Sequence, residues 1–188
     1  MHRSPLDRPA MKGVIFNLLE EVVSQHHGEA AWDEVLDRAE LAGSYTTLGN
    51  YPHTELLKLV ESAADVLGLP RAEVLRWSGR AAIPVLVRHF PAFFDAHRCT
   101  RDFLLSVNGI IHPEVMKLYP GSRCPHFDVR DESDGALLLG YASPRRLCML
   151  AHGFVEGAAD HYRQVPSVEH LACMDRGAHA CLMRVAVS

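Results

Sequence analysis

The chain has 188 residues and a formal net charge of −4, and 48% of its residues are hydrophobic. This length suits one domain with a core large enough to hold a buried ligand. The charge excludes the electrostatic footprint of a nucleic-acid or anionic-lipid binder, and no apolar run approaches the ~20 residues needed to span a membrane.

The beginning of the chain, residues 1–10, is polar and lacks the apolar core of a secretory leader. We expect these residues to be a disordered leader or an upstream start, and residues 11–188 to form one domain in a cytoplasmic protein. Five cysteines, an odd number, argue against a pure disulfide scaffold. In a cytosolic protein they suggest thiols or metal ligands.

The first half of the chain has the periodicity of helices, with apolar residues three and four positions apart. Gly28 and Gly79 are natural helix ends, and Pro70 can open a helix at its first turn. The predicted helices cover residues 11–27, 32–41, 54–67, 70–79 and 81–89.

A longer helix is predicted from Thr100, which can cap it, to Leu118. Pro113 lies inside this pattern and has no amide hydrogen for the carbonyl of Gly109. The helix should therefore bend or break near Pro113.

The pattern changes after Gly121. Short runs that suit strands surround turn-rich segments, and a further helical pattern separates two of them. The predicted strands cover 126–130, 136–141, 168–174 and 179–187, and the predicted helix covers 147–162. The fold class is therefore α+β: an N-terminal helical subdomain, then a mixed half with a four-stranded antiparallel sheet and helices.

The most informative motif is Tyr141-Ala142-Ser143-Pro144-Arg145. Its three polar side chains are two residues apart, so they share one side of an extended segment. The guanidinium of Arg145 and the two hydroxyls can all donate to carboxylates. Upstream, His112 is a candidate metal ligand. Haem needs both an axial imidazole and partners for two propionates.

These motifs together resemble the haem nitric oxide/oxygen-binding (H-NOX) family, which shares its fold with the haem domain of soluble guanylate cyclase. The resemblance covers residues 11–188. It begins at Met11-Lys12-Gly13-Val14-Ile15-Phe16 and includes Leu118-Tyr119-Pro120-Gly121 after His112. The segment 141–145 fits the family's Tyr-x-Ser-x-Arg signature.

The resemblance implies that haem b lies between the helical subdomain and the mixed half. It implies that His112 is the axial ligand of the iron and that Pro125 presses on the haem. The residues that it assigns to the propionates are Tyr141, Ser143 and Arg145.

The resemblance also bears on which gas binds. Oxygen-binding members have a tyrosine nine positions after the signature tyrosine, and this chain has Leu150 there. The residues expected in the distal pocket are all apolar: Ile15, Leu19, Ile83, Leu86 and Leu150. We therefore expect tight nitric oxide binding, carbon monoxide binding and little stable oxygen binding, unless Tyr45 or Tyr51 reaches the pocket.

A second constellation is His170-x2-Cys173-x7-Cys181. Thiolates and imidazole together suit tetrahedral zinc, and Cys148 is available as a fourth ligand. The family includes bacterial members with a zinc site of this kind. Because residues 170 and 173 face opposite ways on a regular strand, the site needs a β-bulge or a strand end. Oxidation of the thiolates would release the metal, so the site could be a redox input or purely structural.

The resemblance implies a sensor and not an enzyme. Nitric oxide would weaken the bond between iron and His112, and the helix that carries His112 would then shift. The output would pass to a separate histidine kinase or cyclic-di-GMP enzyme. The alternatives are an oxygen-binding haem protein, a haem-free domain for an apolar ligand, and a zinc-thiolate redox switch in which haem is secondary.

Overall fold

The structure, a computed structural model, describes residues 10–188. The expected leader lies outside the described residues except for Ala10, which belongs to the first strand. The helices are α1 (Gly13–His27), α2 (Glu29–Ala39), α3 (His53–Leu67), α4 (Arg71–His89), α5 (Ala92–Asp95), α6 (Thr100–Ser106), α7 (His112–Leu118) and α8 (Cys148–His161). The strands are β1 (Ala10–Lys12), β2 (Asn50–Pro52), β3 (Phe127–Asp131), β4 (Leu137–Tyr141), β5 (Pro166–Ala172) and β6 (Cys181–Val187).

The α+β prediction is confirmed. Strands β3 to β6 form one antiparallel sheet in the order β3-β4-β6-β5. The pairing of β5 with β6 shifts register between His170 and Ala172, which is the irregularity that the zinc motif requires. A small sheet of β1 and β2 was not predicted, because strands of three residues are too short to show alternation.

The prediction of separate helices over 70–79 and 81–89 is wrong, because α4 is continuous through Gly79 and Pro84. A Cβ at Gly79 would lie 2.4 Å from the carbonyl oxygen of Leu150 in α8. This glycine therefore permits close helix packing and does not end a helix. Pro84 leaves the carbonyl of Arg80 without its usual donor, and that carbonyl lies next to Gly157 of α8.

The predicted helix from Thr100 to Leu118 is interrupted, as expected. Residues Val107–Ile111 form a π-helical segment between α6 and α7, and Pro113 follows in the first turn of α7. The irregular turn therefore lies immediately before His112.

Two large cores, and a smaller cluster between α1 and α4, hold these elements together. One packs α1 to α4 around Phe16, Val35 and Leu59, all fully buried. The other packs α8 against the sheet around Val155 and Met183. No helix within residues 10–188 has both the length and the apolar character needed to cross a membrane.

Candidate haem cavity and thiol cluster

A cavity of about 310 Å³ lies where the two cores meet. Its volume falls within the range of about 300–1,000 Å³ that is usual for ligand and cofactor sites. The walls are mostly apolar and come from α1, α4, α6, α7, β3, β4, α8 and the π-helical segment. Such a lining favours a large apolar ligand that a few polar groups orient.

His112 is the first residue of α7 and lines this cavity. Burial lowers the pKa of its imidazole, although a hydrogen bond from the ring to the backbone carbonyl of Pro125 opposes this effect. The ring is therefore held neutral, which is the form that binds metal ions. Because one ring nitrogen donates to Pro125, the other keeps its lone pair for a ligand bond.

Asn108, in the π-helical segment, ties the backbone before His112 to β3. Its side-chain amide donates to the carbonyl of Phe127 at 2.5 Å and accepts from the N–H of the same residue at 3.1 Å. π-Helical turns are often found at functional sites. The two bonds hold His112 close to the sheet even though the helix is interrupted.

Tyr141 and Ser143 are both buried. The hydroxyl of Tyr141 accepts the N–H of Leu147 at 3.2 Å and a hydrogen bond from the hydroxyl of Ser143. Burial raises the pKa of the Tyr141 phenol. Tyr141 lines the cavity, whereas Ser143 lies behind it.

Arg145 lines the cavity and reaches two backbone carbonyls. It donates to Arg123 at 2.7 Å and to Ala10 at 3.1 Å, while its buried Nε has no partner within the described residues. Desolvation lowers the pKa of this guanidinium, but arginine stays charged in proteins. A half-buried positive charge with an unused N–H is a site for a carboxylate.

The loop before β3 supplies further groups to the cavity wall. Pro125, which is predicted to contact a haem, lines this part of the cavity beside Ser122 and Cys124. The hydroxyl oxygen of Ser122 is buried. Burial raises the pKa of the Cys124 thiol, although a hydrogen bond with Ser122 opposes this effect. No motif in the sequence indicated that Ser122 would line the cavity.

Four of the five residues predicted for the distal pocket line the cavity, namely Ile15, Ile83, Leu86 and Leu150. Leu19 does not, and it lines a void of about 20 Å³ that shares Ile15 and Leu150 with the cavity. Tyr45 and Tyr51 do not line the cavity either. The Tyr45 hydroxyl donates to Glu55, and the Tyr51 hydroxyl accepts the N–H of Thr46.

An aromatic wall was not predicted as part of the site. The sequence showed an apolar aromatic run at 90–94 but not its position relative to the cavity. The wall consists of Phe90, Phe93, Phe94, Phe103, Tyr119 and Phe127.

The three cysteines of the predicted zinc motif meet at the N-terminal end of α8. Cys148 is the first residue of α8, Cys173 follows β5, and Cys181 begins β6. Their sulfurs all lie within 4.8 Å of one another, and all three residues are buried. The Sγ of Cys173 is 3.7 Å from that of Cys148 and 4.0 Å from that of Cys181. These distances exceed a disulfide bond, so the thiols are free.

Electrostatics distinguishes the three thiols. Burial raises the pKa of Cys148 and Cys181. Burial also acts to raise the pKa of Cys173, but the backbone N–H of Asp175 and the neighbouring thiols outweigh it and lower that pKa. Cys173 is therefore the first of the three to become a thiolate.

Neither ring nitrogen of His170 lies within 4.8 Å of all three sulfurs. Its Nε2 lies 3.0 Å from Nδ1 of His152, and its buried Nδ1 has no partner among the described residues. Burial lowers the pKa of both imidazoles, so both are held neutral. His152 was not singled out from the sequence, where it stands as an isolated histidine in a helix.

The haem-NO-binding family model matches residues 12–170. The chain belongs to the H-NOX family. It is a member of a family of haem-containing gas-sensor domains that are typically not catalytic.

Solved structures support this assignment. An H-NOX protein from S. oneidensis in the Fe(II)NO state is 31% identical, with a TM-score of 0.88, and the match covers 95% of this chain and 99% of that one. The S. oneidensis domain in the Fe(II)CO state, solved by NMR, is 31% identical with a TM-score of 0.85 over 95% and 99% of the two chains. The unliganded Fe(II) H-NOX protein from K. algicida shares the fold at 22% identity, with a TM-score of 0.82 over 95% and 97%.

The residues of the cavity fit a haem. The neutral imidazole of His112 can bind iron, and the unused Nε–H of Arg145 can donate to a carboxylate oxygen. The remaining apolar and aromatic wall suits a porphyrin.

Proposed function

We propose that this chain senses nitric oxide, and also binds carbon monoxide, at ferrous haem b, and that it signals to a separate protein by releasing His112. One observation carries the proposal. A single apolar cavity holds a neutral imidazole together with a half-buried guanidinium whose buried Nε–H is unused. The Fe(II)NO and Fe(II)CO states of the S. oneidensis relatives support the choice of gases.

In this proposal His112 is the axial ligand, Pro125 contacts the haem, and the propionates are bound by Tyr141, Ser143 and Arg145. When bound, the haem supplies an iron with an open position for a diatomic gas. Tyr141 and Arg145 face the cavity. Ser143 supports them from behind, since its hydroxyl donates to Tyr141 and accepts the N–H of Arg145 at 3.3 Å.

The release of His112 would act through the π-helical segment. Since this segment lies between α6 and α7, α7 can shift without unwinding a regular helix. Four large apolar side chains in this part of the chain are exposed, namely Leu105, Ile110, Met116 and Leu118. Met116 and Leu118 belong to α7 and would move with it. We propose this surface for contact with a histidine kinase or a cyclic-di-GMP enzyme, the partner classes that the family resemblance implies.

The site is also proposed to discriminate against oxygen. Bound oxygen carries partial negative charge and gains from a hydrogen-bond donor, whereas nitric oxide needs one far less. The proposed distal side chains that line the cavity are Ile15, Ile83, Leu86 and Leu150, and none of them can donate.

We further propose that zinc binds Cys148, Cys173, Cys181 and His170, with a redox input through the thiolates. The meeting of the three sulfurs supports this site. Three thiolates and one imidazole complete a tetrahedral set.

Absorption spectra of the ferrous protein with and without nitric oxide test the haem proposal. We expect a Soret band that shifts on adding nitric oxide to a position typical of iron without an axial histidine. His112→Gly should change the spectrum before any gas is added, while His126→Gly, the matched control, should not. A His112→Gly variant with the wild-type ferrous spectrum would overturn the assignment.

Leu150→Tyr tests the choice of gas. The new phenol would add a donor inside the cavity, so the oxygen affinity of the ferrous protein should rise at least tenfold, about 1.4 kcal/mol, and nitric oxide affinity should change little. Oxygen titration followed by absorbance measures this. Leu150→Phe, which adds bulk without a donor, is the control, and an equal gain in that variant would contradict the explanation.

A further inference from the structure

A line of polar side chains leads from the thiol cluster to α4, and nothing in the proposed function uses it. It begins at His152, which is in α8 four residues after Cys148 and is buried. Nδ1 of His152 lies 3.0 Å from Nε2 of His170, and the two rings are stacked with centroids 5.1 Å apart.

The second ring nitrogen of His152, Nε2, lies near a carboxylate that is held in place. This nitrogen is 3.5 Å from Oε1 of Glu156, a buried residue. Arg76 of α4 donates to both oxygens of Glu156, at 2.9 and 2.7 Å. This two-pronged contact orients the carboxylate and keeps it ionised.

The chemistry of the groups sets the direction of each bond. An ionised carboxylate only accepts, so its position 3.5 Å from Nε2 favours the tautomer of His152 that carries the hydrogen on Nε2. Its Nδ1 is then the acceptor, and His170 must donate from Nε2. The lone pair of His170 is therefore on Nδ1, the buried nitrogen that has no partner among the described residues.

The backbone of His170 is held as well. Arg176 donates to its carbonyl at 2.9 Å, and the register shift in β5 lies immediately after it. Both the ring and the main chain of His170 are thus fixed before any metal is bound.

We propose that His152, held by Glu156 and Arg76, is a positioning residue that makes Nδ1 of His170 the nitrogen ligand offered to zinc beside the three thiols. The inference rests on the proposed zinc site. Groups that hydrogen-bond to the second nitrogen of a metal-binding histidine fix its tautomer, and their loss weakens metal binding by about 10–100-fold.

The same line connects the two sites of the molecule. Arg76 is in α4, whose Ile83 and Leu86 line the haem cavity. Cys148 and Leu150, one a proposed zinc ligand and the other a cavity residue, are two positions apart in α8. Zinc binding at His170 would therefore stiffen the contact between the two helices that form one wall of the cavity.

Zinc affinity measured by competition with a chromophoric chelator tests the proposal on the full chain. His152→Ala should bind one zinc about 10–100-fold more weakly than wild type, and His179→Ala, an exposed histidine in the same hairpin, should bind as wild type. With cobalt in place of zinc, the saturated His152→Ala protein should keep the wild-type absorption bands, because no ligand has been lost. His170→Ala should change them.

Nitrogen-15 NMR of the metal-free wild-type protein gives a second readout that needs no variant to fold. His170 should carry its hydrogen on Nε2, and finding it on Nδ1 would overturn the proposal. Unchanged zinc affinity in His152→Ala would reject the positioning role alone. A wild-type protein that binds no zinc would instead reject the zinc site, and the ligand role of Nδ1 with it.

Discussion

Burial keeps most ionisable side chains of the haem cavity neutral. It lowers the pKa of His112 and raises the pKa of Tyr141 and Cys124. Desolvation lowers the pKa of Arg145, but its guanidinium stays charged. Together with Lys12 and Arg123, which also line the cavity, this guanidinium favours ligands with an anionic edge and an apolar body, which describes a haem.

The pKa of a single residue, Tyr162, predicts how the stability of the protein depends on pH. The hydroxyl of Tyr162 donates to the carbonyl of Phe94 at 2.9 Å, and burial raises its pKa to about 12. An unfolded tyrosine ionises near pH 10. Between pH 10 and about 12, the phenol of Tyr162 is therefore protonated in the folded state and ionised in the unfolded state. This contribution to stability is complete below pH 10 and is lost as the pH rises through that window.

Tyr162→Phe should therefore lower the free energy of unfolding by about 1 kcal/mol at pH 7, where a hydrogen bond is lost. Between pH 10 and 12 the difference from wild type should shrink. Urea titrations at a series of pH values measure this. A constant difference across the whole range would contradict the raised pKa.

At the scale of elements, the contact between α4 and α8 determines the shape of the cavity wall. Gly79, Gly153 and Gly157 let the two backbones approach closely. The ion pairs Arg76–Glu156 and Arg80–Asp160 flank this contact. The small residues set the distance between the helices and the ion pairs set their register.

Gly153→Ala should destabilise the protein strongly, because the added Cβ would lie 1.9 Å from the carbonyl oxygen of Arg76. Overpacking of this kind costs about 1–3 kcal/mol or more. Gly109→Ala, in the π-helical segment, is the matched control, since a Cβ there meets nothing within 4 Å. Chemical denaturation of both variants measures the effect, and similar losses in the two would show that the helix contact is not the cause.

The elements also show what the sequence could and could not predict. Helices α1 to α3 and the four strands of the main sheet were predictable because each buries one face. The continuity of α4 was not, because Gly79 and Pro84 resemble helix ends until their neighbour α8 is known. The local sequence of α4 carries no information about α8, the helix that packs against it.

The same reasoning explains the site. His112, Tyr141 and Arg145 could be proposed from a motif and its spacing, and they share one cavity. Asn108 and His152 were missed because their partners are 19 and 18 positions away. A side chain that acts through a distant partner leaves no local signal in the sequence.

At the scale of the whole molecule, the haem cavity lies between the two large cores. A ligand bound there therefore packs against residues of both. A ligand that binds only the folded state raises stability in proportion to its affinity and concentration. We therefore expect the melting temperature to rise on adding haem, and removal of haem to reverse the change.

Arg145→Met should reduce this stabilisation. Loss of a hydrogen bond to a charged group costs about 1.5–3 kcal/mol, which is about a 10–100-fold loss of haem affinity. Haem titration and thermal melting of the variant measure both effects. Arg146→Met removes an exposed neighbour and is the control, and an equal loss in that variant would contradict the specific role of Arg145.

The bond between Arg145 and the carbonyl of Ala10 joins residues 135 positions apart. Recombinant material that begins at Met11 would lack this acceptor and would leave a second guanidinium hydrogen unclaimed. It would also bring the free α-amino group to the same spot. The choice of start codon therefore gives a simple means of changing how tightly the haem propionates are bound.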